Sequence, residues 1–294
     1  MADTTNLVKL LDPAVKATFF KQYADTPIMW NRIATEVESS KDIEAYAWLG
    51  SSPAMREWTD ERQPAGLKEY NFTVTNLTYE NSIAVKRSQL EDDQKGQIMV
   101  RVQELAMEAR KHTDRSVITK LAANGLCYDG QNFIDTDHSE EASGSQSNKG
   151  TTALALAEYG VARAAMMGFK DTNGTVQGII PDLMLVPPAL EQTGRQILTA
   201  EMISDATTTI SNTWRGTAEL MVSPFLTDTN NWYLMYTKGV VKPMLVQTRT
   251  PVEFGRLEKD SDEGFMRDRF IYGTRERKAF AVGQWRFCYG EIVS

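Results

Sequence analysis

Histidine and cysteine are almost missing from this sequence, and each shortage excludes something. Two histidines, His112 and His138, stand in 294 residues, which leaves a histidine-based acid–base or nucleophilic mechanism short of parts. The two cysteines, Cys127 and Cys288, lie far apart; one pair makes no disulfide framework, and both read as small buried apolar residues. No apolar run reaches membrane-spanning length. The start Met1-Ala-Asp-Thr-Thr5 lacks the basic head and apolar core of a signal peptide, so folding in the cytoplasm is expected. Walker-type phosphate loops, dinucleotide-binding glycine fingerprints and Gly-x-Ser-x-Gly elbows are absent. Positive charge is in deficit as well, with 32 Lys and Arg against 39 Asp and Glu. A protein that grips DNA through its phosphates carries a basic face, so specific DNA binding is not expected, and nothing calls for a cofactor.

What is present is an ordinary globular balance, 41% hydrophobic and 24% charged, on a chain long enough for one large domain or two smaller ones. Residues 1–42 read as an arm: Leu7, Leu10 and Leu11 lead to Pro13, then Phe19, Phe20, Tyr23, Met29 and Trp30 fall roughly on one helical face. Residues 43–87 read as strands around a long excursion. Ile43 to Trp48 is the first strand, and Phe72/Val74 and Ile83/Val85 alternate with polar neighbours. The excursion between them carries Met55, Arg56, Glu57, Trp58, Glu61 and Arg62, a mixture of Met, aromatic and Arg that suits the centre of a protein interface.

Ser88-Gln-Leu-Glu91 fits a capping box, and Ile98, Val102, Leu105 and Ala109 then follow a helical spacing that ends at Asn124-Gly125. A helix from 97 to 124 is about 40 Å long, a spine rather than an ordinary globular helix. A second helix is expected after a Thr151 or Thr152 cap, with Leu154, Ala157, Val161 and Ala164 as its apolar side. A strand at Leu183 to Val186 and a helix over 188–200 follow, then three alternating segments at Leu220/Val222, Trp232/Leu234/Tyr236 and Met244 to Gln247. The end reads as a hairpin: Met266, Phe270 and Tyr272 lead in, Gly273-Thr-Arg-Glu276 turns, and Phe280, Val282, Trp285, Phe287 and Tyr289 lead out. Arg275, Arg277 and Lys278 then cluster at its tip, either solvated or in contact with a neighbouring subunit. The pattern is mixed α+β with no fixed repeat.

One loop offers chemistry. Asp135-Thr-Asp137-His138-Ser-Glu140-Glu141 holds oxygen and nitrogen ligands within reach of one metal, though without calcium-loop spacing. It supports the rival reading of a metal-dependent hydrolase or lyase using Asp135, Asp137 and His138.

Several strings, in order, carry a resemblance. They are Tyr46-Ala-Trp-Leu-Gly50, Met55-Arg-Glu-Trp58, Leu90-Glu-Asp-Asp93, Cys127-Tyr-Asp-Gly-Gln-Asn-Phe133 with Asp135-Thr-Asp-His138, and Pro181 through Glu191. Trp214-Arg-Gly216, Val222-Ser-Pro224, Trp232-Tyr-Leu234, Lys242-Pro243, and Phe265-Met-Arg-Asp268 through Tyr272-Gly273, Arg277 and Gly283-Gln-Trp285 complete the set. Together they resemble the major head subunit of Mu-like phages and prophages. The sequence departs from that pattern where Ser139 follows His138 in place of a common Pro.

The resemblance implies the Hong Kong 97 capsid fold: arm 1–42, extended hairpin loop and peripheral strand 43–87, peripheral domain with spine helix 88–150, axial domain 151–245, and peripheral C-terminal strands 246–294. It implies a structural protein and not an enzyme, self-assembling into hexamers and pentamers of an icosahedral shell. It further implies a separate scaffolding protein and a portal during assembly, packaged double-stranded DNA enclosed without specific binding, and room for a decoration protein. It places the protein in the virion, assembled in the bacterial host cytoplasm without a membrane; the remaining rival is another virion part, of tail or decoration. The residues expected at contacts between subunits are Phe19, Phe20, Trp30, Met55, Arg56, Trp58, Glu61, Arg62, Arg275 and Arg277.

Overall fold

The computed structural model describes residues 4–46, 72–86, 96–205, 208–257 and 269–293. Two sheets share one long helix. The first sheet has four strands in the order Ala34–Glu38, Met244–Leu257, Arg269–Val282 and Leu77–Lys86. Only the first pair is parallel. The second has five, in the order Glu219–Val222, Leu183–Val186, Trp232–Met235, Cys288–Glu291 and Lys149–Gly150. Its three central strands are buried at every residue. That is why Leu183–Val186 reads as a continuous apolar run; the alternation expected at Trp232/Leu234/Tyr236 is corrected, since Tyr233 and Met235 are buried as well.

The long helix Gln97–Ala122 joins the two halves. Val102, Leu105, Ala106 and Ala109 pack with Val15 and Phe19 of the arm helix Thr4–Asp25 and with Phe270 and Tyr272 of the first sheet. Further along, Val117, Ile118 and Leu121 belong to the main core, with Trp232, Met235 and Trp285. Between the two clusters, buried Asp114 accepts the backbone N–H groups of Met29 and Trp30, at 2.9 and 2.7 Å. It thereby satisfies the free donors at the start of the short helix Trp30–Ile33. The long helix stops at Asn124, whose backbone enters the left-handed region (φ 46°) and whose side chain bonds both the N–H and the C=O of Ile134.

The base of the excursion forms as expected. Ile43–Ala45 pairs antiparallel with Thr73–Thr75, and the Tyr46 N–H reaches the Phe72 carbonyl at 2.8 Å. The tip of the excursion and the capping box at Ser88–Glu91 lie outside the described residues.

Further expectations are corrected. No turn occurs at 273–276: Arg269–Val282 is one continuous strand, paired over most of its length with Leu77–Lys86. Its charges alternate sides instead of clustering at a tip. Glu276 and Lys278 are turned in and pair at 2.8 Å, with both side chains almost fully buried, while Arg275 points out. The strand Ala34–Glu38, at the end of the arm segment, forms an edge of the first sheet, and Cys288–Glu291 lies inside the second, between Trp232–Met235 and Lys149–Gly150. Finally, neither Thr151 nor Thr152 caps the helix Leu156–Met167; the Thr152 N–H and hydroxyl go to the Glu291 carboxylate at 2.7 and 3.2 Å.

That same helix is turned around from its expected phase. It buries Tyr159, Ala162 and Met166, and leaves Ala157, Val161 and Ala164 exposed. Its sequence is apolar on both sides, so periodicity alone does not choose which side faces the core.

Candidate functional site

The acidic loop does not build a metal site. His138 is fully buried, its ring stacked on Trp285 with centroids 4.1 Å apart and planes 6° apart. Its Nδ1 lies 2.6 Å from the Asp129 carboxylate and its Nε2 lies 3.2 Å from Asn148 Oδ1. The Asn148 amide is oriented by its Nδ2 donating to the carbonyls of Phe133 (2.8 Å) and Cys288 (3.0 Å). Its Oδ1 is therefore the acceptor, taking the Asp135 N–H as well at 2.8 Å. Both ring nitrogens of His138 are thus occupied by protein oxygens, and neither is open to a metal.

The other members of the cluster point elsewhere. Asp135 accepts the N–H of Thr136, and Asp137 the hydroxyl of Ser145. Among the described residues no group of three or more His, Cys, Asp and Glu is placed to hold an ion. The hydrolase or lyase reading therefore loses its constellation.

Beside this loop runs a second buried network. Glu140 Oε1 accepts from Arg286 (2.8 Å), Tyr128 (2.7 Å) and Trp285 Nε1 (2.9 Å). The guanidinium of Arg286 lies 4.5 Å over the Trp285 ring and donates through Nε to the Lys170 carbonyl at 2.8 Å. Glu140 and Arg286 are both fully shielded from water. Burial, together with the charge of Glu140, holds the Tyr128 hydroxyl well above its ordinary range. These contacts tie the loop after the long helix to the C-terminal strand, a structural role. Sequence spacing singled out Asp135 and Asp137, and missed Asp129 and Asn148, because His138 finds its partners across the fold and not along the chain.

A groove of about 740 Å³ opens between the long helix and the first sheet. Leu77, Phe280 and Leu126 supply apolar lining, and Arg115 and Lys120 add charge. Leu77 and Leu126 are more than half exposed. His112, at one side, bonds Glu276 at 2.8 Å and Ser116 at 3.1 Å. This has the connectivity of a Ser–His–Glu relay. Ser116 lies inside a helix, however, where backbone N–H groups are taken up by the helix itself and form no oxyanion hole.

The residues expected at contacts between subunits divide into three groups. Met55, Arg56, Trp58, Glu61 and Arg62 lie outside the described residues. Phe19 is fully buried in its own chain, stacked on Phe254 at 4.6 Å, so it has no free face for a neighbour. Phe20, edge-on to Phe19, is 37% exposed, and Trp30 is half-buried against the main core. Arg275 and Arg277 are mid-strand and already paired, Arg275 with Glu253 across the ribbon at 3.6 Å and Arg277 with Asp42 at 2.8 Å.

Comparison with known proteins follows the same architecture. Residues 8–154, 147–226 and 227–292 match the family model described as Mu-like prophage major head subunit gpT. The chain is 25% identical over 289 residues to the Mu-like prophage FluMu major head subunit of Haemophilus influenzae, spanning 97% of this chain and 73% of that protein. It is likewise 25% identical over 290 residues to the major capsid protein of Escherichia phage Mu, with the same shares. Among solved structures it is similar to a chain of the procapsid of bacteriophage JBD30, at 25% identity and a TM-score of 0.62, over 98% of this chain and 76% of that one.

Proposed function

We propose, from the premise that this chain belongs to the family of Mu-like prophage major head subunits and is a capsid structural protein and not an enzyme, that its copies close into hexamers and pentamers of an icosahedral shell around double-stranded DNA. The observation that carries this reading is the similarity to a procapsid subunit along almost the whole chain. It spans the arm, both sheets and the long helix together.

The mechanism is association by buried apolar surface, with charge setting the register. The paired strands Ile43–Ala45 and Thr73–Thr75 form the root of the excursion, whose Met55 and Trp58 would lose their water on a neighbouring subunit. Arg56, Glu57, Asp60, Glu61 and Arg62 would fix alignment and exclude wrong partners. The groove bearing Leu77, Leu126, Arg115 and Lys120 suits such a segment, with apolar lining for Met55 and Trp58 and basic groups for Glu57, Asp60 and Glu61. Phe20 and Trp30 extend the contact from the arm. Contacts of this kind are heterologous and close into rings.

In this reading residues 43–87 are the extended loop and its strands, 88–150 with the long strands of 246–294 the peripheral domain, and 151–245 the axial domain. The shell assembles in the bacterial cytoplasm on a separate scaffolding protein and a portal, and encloses DNA without gripping it, in keeping with the net charge of -7. The reading leaves room for a decoration protein. Electron microscopy of the purified protein tests the core of this: shells or tubes are the expected result, and a small discrete oligomer under all assembly conditions overturns it.

A further inference from the structure

The helix Leu156–Met167 carries two charged residues, Glu158 and Arg163, and both are engaged on its own chain. Glu158 accepts the Thr152 hydroxyl at 3.2 Å, and Arg163 donates to the carbonyls of Pro181 and Thr217 at 2.9 and 3.3 Å. The outer face is left with Ala157, Val161, Ala164, Met167 and Gly168, all exposed, with Val161 at 57% and Met167 at 41%. Exposed Ile180 adjoins Pro181, the residue that Arg163 holds. An outward helix face on a soluble subunit normally carries the charge; here, on a chain that is 24% charged, it carries none. Spacings of four, three and four residues put Ala157, Val161, Ala164 and Gly168 in one row, and small side chains let another backbone come close.

We infer that this face is a contact between copies of the chain, covered in the assembled shell by a neighbouring subunit. The inference rests on the capsid reading above. Size argues for this occupant. The row is about 17 Å long and roughly 200 Å² in area, far below the ~800 Å² per partner of a stable independent complex. A separate partner held by this row alone would dissociate readily. A copy already tethered through its other contacts works at high effective concentration, so a small apolar row adds to its hold. The absence of charge also leaves a neutral apolar surface as the fitting counterpart.

The test uses Ala164→Cys in the full chain. The native thiols give little background, since Cys127 is 4% exposed and Cys288 fully buried, and burial pushes both well above the ordinary thiol range. Maleimide is expected to label the introduced thiol readily in unassembled subunits and at least ~10-fold more slowly in shells, a ratio that corresponds to an apolar contact closed most of the time. Val161→Glu is expected to leave the subunit's melting unchanged and to lower shell yield by a similar factor. Equal labelling of subunits and shells overturns the inference, as does protection that appears only when a second protein is added. Wild-type protein that never forms shells is a different result: it removes the capsid reading itself, and this inference with it.

Discussion

Asp129 holds His138 at 2.6 Å, and neither side chain is more than 2% exposed. The contact replaces the metal that the spacing of Asp135, Asp137 and His138 suggested. Asp129→Ala would leave a buried imidazole nitrogen without its acceptor and a void beside the Trp285 stack. The expected loss of stability is about 2–4 kcal/mol, read as a lower urea midpoint at unchanged slope. A loss below ~1 kcal/mol would show that the pair is dispensable. EDTA, by contrast, is expected to leave the wild-type melting temperature unchanged.

Phe19 and Phe20 are neighbours in sequence with opposite duties. Phe19 fills the space between the arm helix, the long helix and Phe254, so Phe19→Ala is expected to cost the subunit about 3–5 kcal/mol. Phe20→Ala is expected to change subunit stability by less than ~1 kcal/mol and to act on assembly instead. Thermal melts of the two variants before assembly separate the roles. Equal destabilisation would remove the distinction.

Trp58→Ala tests the excursion. The variant is expected to fold with the wild-type melting profile and to give fewer, weaker shells, because truncating a buried aromatic anchor removes ~2 kcal/mol or more of contact energy. Normal particle yield and normal resistance to guanidinium would count against a seat for this residue on a neighbouring subunit.

Local sequence signals located the long helix, the roots of the excursion and the strand Leu183–Val186, because Val102, Leu105 and Ala109 or Leu183 to Val186 carry their pattern within a few residues. Three things needed the fold. Within Arg269–Val282, Gly273 and three charges imitate a turn; Glu276 and Lys278 are tolerated inside a strand because they pair with each other, and Glu276 also with His112. The orientation of Leu156–Met167 was hidden because both of its sides are apolar. Asp129 and Asn148 were hidden because their roles depend on contacts that local periodicity does not encode.

The triad of Glu276, His112 and Lys278 gives the protein an acid-sensitive contact under the groove. Burial pushes the Glu276 carboxyl up, but the hydrogen bond from His112 and the charge of Lys278 outweigh it, and the net shift is below the usual 4.5. A carboxyl lowered in the folded state binds its proton more weakly there than in the unfolded chain. Its contribution is therefore complete above the unfolded value and is lost as pH falls below 4.5 and through the lowered folded value. Asp114 and Glu291 act in the opposite sense, since burial raises both and no partner outweighs it. Glu276→Gln is therefore expected to be less stable than wild type at pH 7 and to lose less of its stability on acidification. Urea midpoints at about pH 7, 5 and 4 measure this. Parallel wild-type and variant curves would show that Glu276 carries no proton-linked stability.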